Sequence, residues 1–88
     1  MSATNQTNES KTNNPPVAKV RVGLVTASIW ERRTDDRTFY AVSFERRYRD
    51  GNGDWQTAHN YDGGSELLAL TKAADLAHTR ILELQASQ

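Results

Sequence analysis

Apolar and polar positions alternate along residues 17–33, but the phase changes part-way. Val20, Val22 and Leu24 hold one parity, and Val25, Ala27 and Ile29 hold the other. Successive side chains of a strand point to opposite faces, so one regular strand would split these sets between its two sides. Gly23 stands at the change of phase, and a glycine inside a strand often marks a bulge or close bend. The pattern predicts a bulged or bent strand here, or two strands divided near Gly23.

Residues 34–37, Thr-Asp-Asp-Arg, read as a turn. Residues 38–49 are the clearest strand. Tyr40, Val42, Phe44 and Tyr48 share one face, interrupted by Arg46, while Phe39, Ala41, Ser43, Glu45, Arg47 and Arg49 share the other. The first set reads as core and the second as mostly wet. Asp50-Gly51-Asn52-Gly53-Asp54 tolerates positive φ and should close a hairpin. A strand over residues 55–61 follows, with Trp55, Thr57, His59 and Tyr61 on one side. Asp62-Gly63-Gly64 breaks it, and Ser65 is the expected helix N-cap, its hydroxyl accepting an orphan amide. Glu66 suits the positive end of the helix dipole. Leu67, Leu70, Ala74, Ala77, Ile81 and Leu84 then recur at intervals of three and four, the stripe of an amphipathic helix, with Leu68, Leu76 and Leu82 widening it. The small Ala74 and Ala77 permit close approach to the surface beneath.

The fold class expected is α+β: an antiparallel sheet of three strands, or four if the first splits near Gly23, followed by one C-terminal amphipathic helix. Residues 1–16 form a separate polar tail and residues 17–88 a single sheet-plus-helix domain. The tail is almost all Ser, Thr, Asn and Gln up to Asn14, so it cannot bury enough to offset its ordering entropy and is expected to be disordered and dispensable. Pro15-Pro16 stiffens the approach to the first strand.

Composition narrows the function classes. The 88 residues contain no cysteine, which excludes a disulfide framework and a thiolate metal site. No run approaches the roughly 18 apolar residues that span a bilayer, and the N-terminus lacks an apolar leader, so a cytoplasmic protein without membrane contact is expected. His59 and His78 stand alone, without metal-ligand or catalytic spacing, and Asp35-Asp36 reads as a solvated turn. No cofactor, metal or catalytic group is expected, and the chain reads as non-enzymatic.

Net charge is zero but unevenly placed. Residues 19–49 carry eight basic side chains against four acidic, and residues 50–88 two against six. A basic sheet half suggests a nucleic-acid face, and equally suits two halves that attract each other. One constellation follows from strand parity: Phe39, Arg47 and Arg49 share a face, joined by Arg21 and also Arg33 if parity allows. Aromatics and arginines on a sheet can stack bases and neutralise phosphates. The plainer reading is a solvated face whose arginines pair with Glu45 and Glu31 across strands. Trp30 and Trp55 read as core or interface anchors rather than base platforms.

Two resemblances attach to these residues. The run Ile29-Trp30-Glu31, Phe39-Tyr40-x-Val42, Arg47-Tyr48-x-Asp50, Gly53-x-Trp55 and a leucine-rich helix resembles small bacterial proteins of unassigned function. More distantly, a sheet followed by a C-terminal helix is similar to the positive-cofactor-four family of single-stranded-DNA-binding coactivators and to the related Whirly fold. Arg47, Arg49, Gly53, Glu66, Leu67 and Leu70 sit at matching places. The resemblance implies a homodimer that grips single strands with its sheets. The departure is that family's basic loop after the hairpin, here residues 56–64 without Lys or Arg, and its four strands against three clear ones.

The expectation is therefore a non-enzymatic module that binds single-stranded nucleic acid in a regulatory, transcription-related role, with Arg21, Phe39, Arg47 and Arg49 as its contact residues. A protein-interaction or assembly module using the same open sheet is the alternative. A homodimer is expected in either case, because one helix covers only one sheet face.

Overall fold

The computed structural model describes residues 14–87. The expectation of a disordered tail falls mainly on residues 1–13, which lie outside the described residues. Among the described residues the chain forms strands β1 (Ala18–Val22), β2 (Val25–Arg33), β3 (Thr38–Arg49) and β4 (Trp55–Ala58), then helix α1 (Ser65–Ala86). The strands pair antiparallel in sequence order, a four-stranded meander followed by one helix packed on it.

The phase change at Gly23 is a chain reversal, not a bulge. Val22 pairs with Val25, which leaves Gly23 and Leu24 as a two-residue turn. Gly23 has φ +59°, a conformation that glycine adopts without steric cost and that primed hairpin turns demand. The reversal puts both parities on one side. Val20 faces Ala27 and Ala18 faces Ile29, so the two apolar sets read from the sequence meet in a single core, except for Leu24, which is exposed in the turn.

The second reversal is held by Thr34. Its N–H donates to Arg37 O at 2.9 Å, and its hydroxyl oxygen accepts the N–H groups of Asp36 and Arg37 at 3.3 Å each. The third is held by Asp50. Its Oδ1 accepts the N–H groups of Asn52 and Asp54 at 2.9 and 3.0 Å, and its Oδ2 accepts Nε2 of Gln56 at 3.1 Å. These backbone donors, Asp54 first and then Asn52, hold the Asp50 carboxyl below its ordinary pKa. Gly53 supplies the positive φ, +82°.

The strand expected over residues 55–61 ends at Ala58. Beyond it Tyr61 turns to the helix side and packs against the core, its hydroxyl buried without a hydrogen-bond partner. Burial raises its pKa above the usual phenol value. The expected Ser65 cap is also corrected. Gly64 is the N-cap and no side chain caps it. Instead, Asp62 Oδ1 accepts the Gly64 N–H at 2.8 Å, and Glu66 Oε1 reaches back to accept the Asp62 N–H at 2.9 Å.

Helix α1 lies across β1 and β2 and touches β3 only lightly. The fully buried core is small: Val25, Ala27 and Ile29 from β2, and Ala73 and Ala77 from α1. The two alanines allow the helix to sit close to the sheet. Around them pack Val20, Val22, Tyr40, Val42, Phe44, Leu70, Ile81 and Leu84. The helix is thus rotated from the expected stripe. Ala73, not Ala74, faces inward, and Leu67 is 47% exposed.

Candidate nucleic-acid interface

The strand register sorts the sheet into two faces. Val25, Ala27 and Ile29 lie beneath α1, so residues of opposite parity on β2 and their partners form the other face. Across it run the rows Lys19–Ser28–Ser43, Arg21–Thr26–Glu45, Trp30–Ala41, Arg32–Phe39, Arg47–Thr57 and Arg49–Trp55. Among the described residues no helix covers this face.

Arg21, Phe39, Arg47 and Arg49 all fall on this open face, as strand parity implied, but they are not close neighbours. Phe39 and Arg49 stand ten positions apart on β3, about 33 Å at ~3.3 Å per residue. Arg21 lies between them in the row of Glu45. The arrangement is a track, not a pocket. Arg33 leaves the group: it has the parity of Ile29 and pairs with Glu31 at 3.5 Å on that same strand.

At the hairpin end, the Cζ atoms of Arg47 and Arg49 lie 4.7 and 5.3 Å from the centroid of the Trp55 ring. Both distances are within cation–π range. Arg49 is fixed further, its Nε and Nη2 donating to Gly53 O at 3.1 and 3.0 Å. Trp55 stays 48% exposed. At the far end, Arg37 Cζ lies 5.0 Å from the Phe39 ring, and Arg32 stands opposite Phe39 in the register. Trp30 stands on the same face, its indole N–H donating to Ser43 Oγ at 2.9 Å. Beside it, residues 14–17 and 30–33 frame a hollow of about 510 Å³.

Lys19, Arg21, Arg32, Arg47 and Arg49 set five basic groups on this face against the single acid Glu45. Among the described residues none of the five makes an ion pair, and Glu31, one of the two acids expected to neutralise the arginines, serves Arg33 instead. The field from such a face favours an anionic partner. Thr26 and Ser28 are buried although, among the described residues, no helix lies over them.

Parity alone put the four expected residues on this face. It did not point to Trp55, Trp30, Lys19 or Arg32. The signal for Trp55 lay in the hairpin itself, because a turn over residues 50–54 pairs Arg49 with Trp55. Arg46, of the opposite parity, goes to the helix side, where it donates to Asn60 O at 2.8 Å and to Asn60 Oδ1 at 3.1 Å and pairs with Glu66. His59 and His78 are exposed, and no group of three or more His, Asp or Glu among the described residues is placed to hold a metal ion. No helix among them is long and apolar enough to cross a membrane.

The fold and this face define a small α+β domain with an open, basic, aromatic-bearing sheet. No known protein family, curated protein or solved structure matches the chain.

Proposed function

We propose that the chain is a non-enzymatic module that binds single-stranded nucleic acid on the open face of its sheet, in a transcription-related role in the cytoplasm and as a homodimer. The observation that carries this reading is the Trp55 indole, half exposed and flanked by the guanidiniums of Arg47 and Arg49 on a face with five bases and one acid. Aromatic rings stack bases of any sequence, and neighbouring cations neutralise phosphates. The likeness to the positive-cofactor-four family supports the reading through element order and strand count, four strands and a C-terminal helix. The lack of Lys or Arg in residues 56–64 weighs against high affinity.

Fluorescence anisotropy of labelled oligothymidine at low salt tests the reading. Binding is expected in the range on the order of micromolar to a hundred micromolar. Arg47→Ala should lower the salt slope by about 0.7 for each phosphate that the protein no longer neutralises. Duplex DNA should bind more weakly, since its bases cannot stack on protein rings. An absence of binding, or binding untouched by Arg47→Ala and Arg49→Ala, overturns it.

The second reading, a protein-interaction or assembly module, is favoured by one observation: Leu67, Leu68, Leu76 and Leu82 of α1 are 37–72% exposed. Salt separates the two, because an apolar interface lacks the steep salt dependence of phosphate binding.

A further inference from the structure

We infer that the open face carries two separate base-stacking ends joined by a polar middle that stacks nothing, so that a single strand binds fully only by spanning both. This rests on the nucleic-acid reading above. One end is the Trp30–Ala41 and Arg32–Phe39 rows, and the other is the Arg49–Trp55 row. Between them, the rows of Ser28–Ser43 and Thr26–Glu45 hold no aromatic residue.

Each end is held in place before any ligand arrives. Trp30 is pinned by its hydrogen bond to Ser43, and Trp55 by two guanidiniums, one of them anchored to the hairpin carbonyl of Gly53. Pre-positioned rings lose little freedom on binding, which keeps the cost of stacking low. The middle offers hydroxyls and charge instead. Lys19 and Arg21 stand in its rows on β1, where they meet phosphates rather than bases.

Separation sets the ligand length. Eight positions on β3 divide Ala41 from Arg49, about 26 Å at ~3.3 Å per residue. A stacked strand advances about 3.4 Å per phosphate, so roughly eight nucleotides bridge the two ends, and fewer if the strand is extended.

The test uses oligothymidines of about twelve residues, long enough to cover that span, in three forms: intact, abasic at the central positions, and abasic at both ends. Anisotropy titrations of the full chain should show the centre-abasic strand binding within about twofold of the intact one, and the end-abasic strand about tenfold or more weaker. Trp55→Ala and Phe39→Ala should each weaken the intact strand by a similar factor and leave the end-abasic strand unaffected, with circular dichroism confirming the fold. Centre-abasic and end-abasic strands weakened equally, or Phe39→Ala silent on the intact strand, overturns the two-ended site while the nucleic-acid reading stands. Binding of none of the three strands overturns that reading and this inference with it.

Discussion

Arg46 Nε lies 3.2 Å from Glu66 Oε1, and this pair ties the hairpin-side half of β3 to the first turn of α1. The same guanidinium holds Asn60 by its carbonyl and its side chain, while the same carboxylate accepts the Asp62 N–H. The side chains are 16% and 28% exposed, so water competes weakly for them. Removing one partner leaves the other half-buried and unsatisfied. Arg46→Ala should destabilise the domain by about 2–3 kcal/mol in urea unfolding. Glu66→Gln keeps an acceptor oxygen for Asp62 and should cost less, about 1 kcal/mol. Equal and negligible losses would show that the loop of residues 59–64 is held by other interactions.

The rotation of α1 gives a paired test. Ala73 is fully buried and Ala74 is exposed. Ala73→Asp places an unpaired charge in the core and should abolish cooperative folding. Ala74→Asp should change stability by no more than about 0.5–1 kcal/mol, the scale of surface changes and of helix propensity. Thermal melts followed by circular dichroism decide it. The reverse order of effects would restore the stripe through Leu67 and Ala74.

That rotation also shows where sequence pattern runs out. Tyr40, Val42 and Phe44 face the core because a long strand alternates unambiguously. Helix α1 is apolar on more than one side, so Leu67-Leu70-Ala74 and Ala69-Leu70-Ala73 are both acceptable stripes. In the second, Glu66 also pairs with Arg46, a contact that no hydrophobic pattern records. The phase change at Gly23 was visible, but its meaning depended on which strand Val25 would pair with. The shared face of Arg21, Phe39, Arg47 and Arg49 was legible from parity. Their spread along the sheet, the departure of Arg33 and the approach of two arginines to Trp55 were not, because they depend on register.

Asp50 gives the acid side of the stability profile a specific shape. Its folded pKa lies below the ordinary 3.8, because backbone N–H groups of Asp54 and Asn52 favour the carboxylate. A depressed carboxyl stabilises the fold above its unfolded pKa and loses that contribution as pH falls through the folded value. Asp50→Ala should therefore lower Tm at neutral pH, and the gap from the parent should narrow as pH drops below about 4. A gap that is constant down to a pH of about 2 would mean that the carboxylate's charge contributes nothing to holding the hairpin.

Self-association, expected from the open sheet face, is the last prediction, and the exposed leucines of α1 offer it a second surface. Among the described residues five apolar ones are fully buried, three of them alanines, a small core. Leu68 and Leu82 are 72% and 51% exposed. Fourteen residues apart on α1, they lie within about 40° of each other around its axis and about 21 Å apart along it. Both point away from Ala73 and Ala77, and Thr71, Asp75 and Thr79 stand between them on that side of the helix. A second copy laid against this side of α1 would cover both leucines and leave the basic sheet face free for ligand. Sedimentation equilibrium should thus give twice the 9.9 kDa chain mass at high micromolar concentration. Leu68→Glu with Leu82→Glu should give a monomer that keeps its helix by circular dichroism. If the sheet face is the binding surface, that monomer should still bind oligothymidine, with lower apparent affinity only where two copies engage one strand. A wild-type monomer at these concentrations would refute the homodimer, and a dimer indifferent to both leucines would move the interface off the helix.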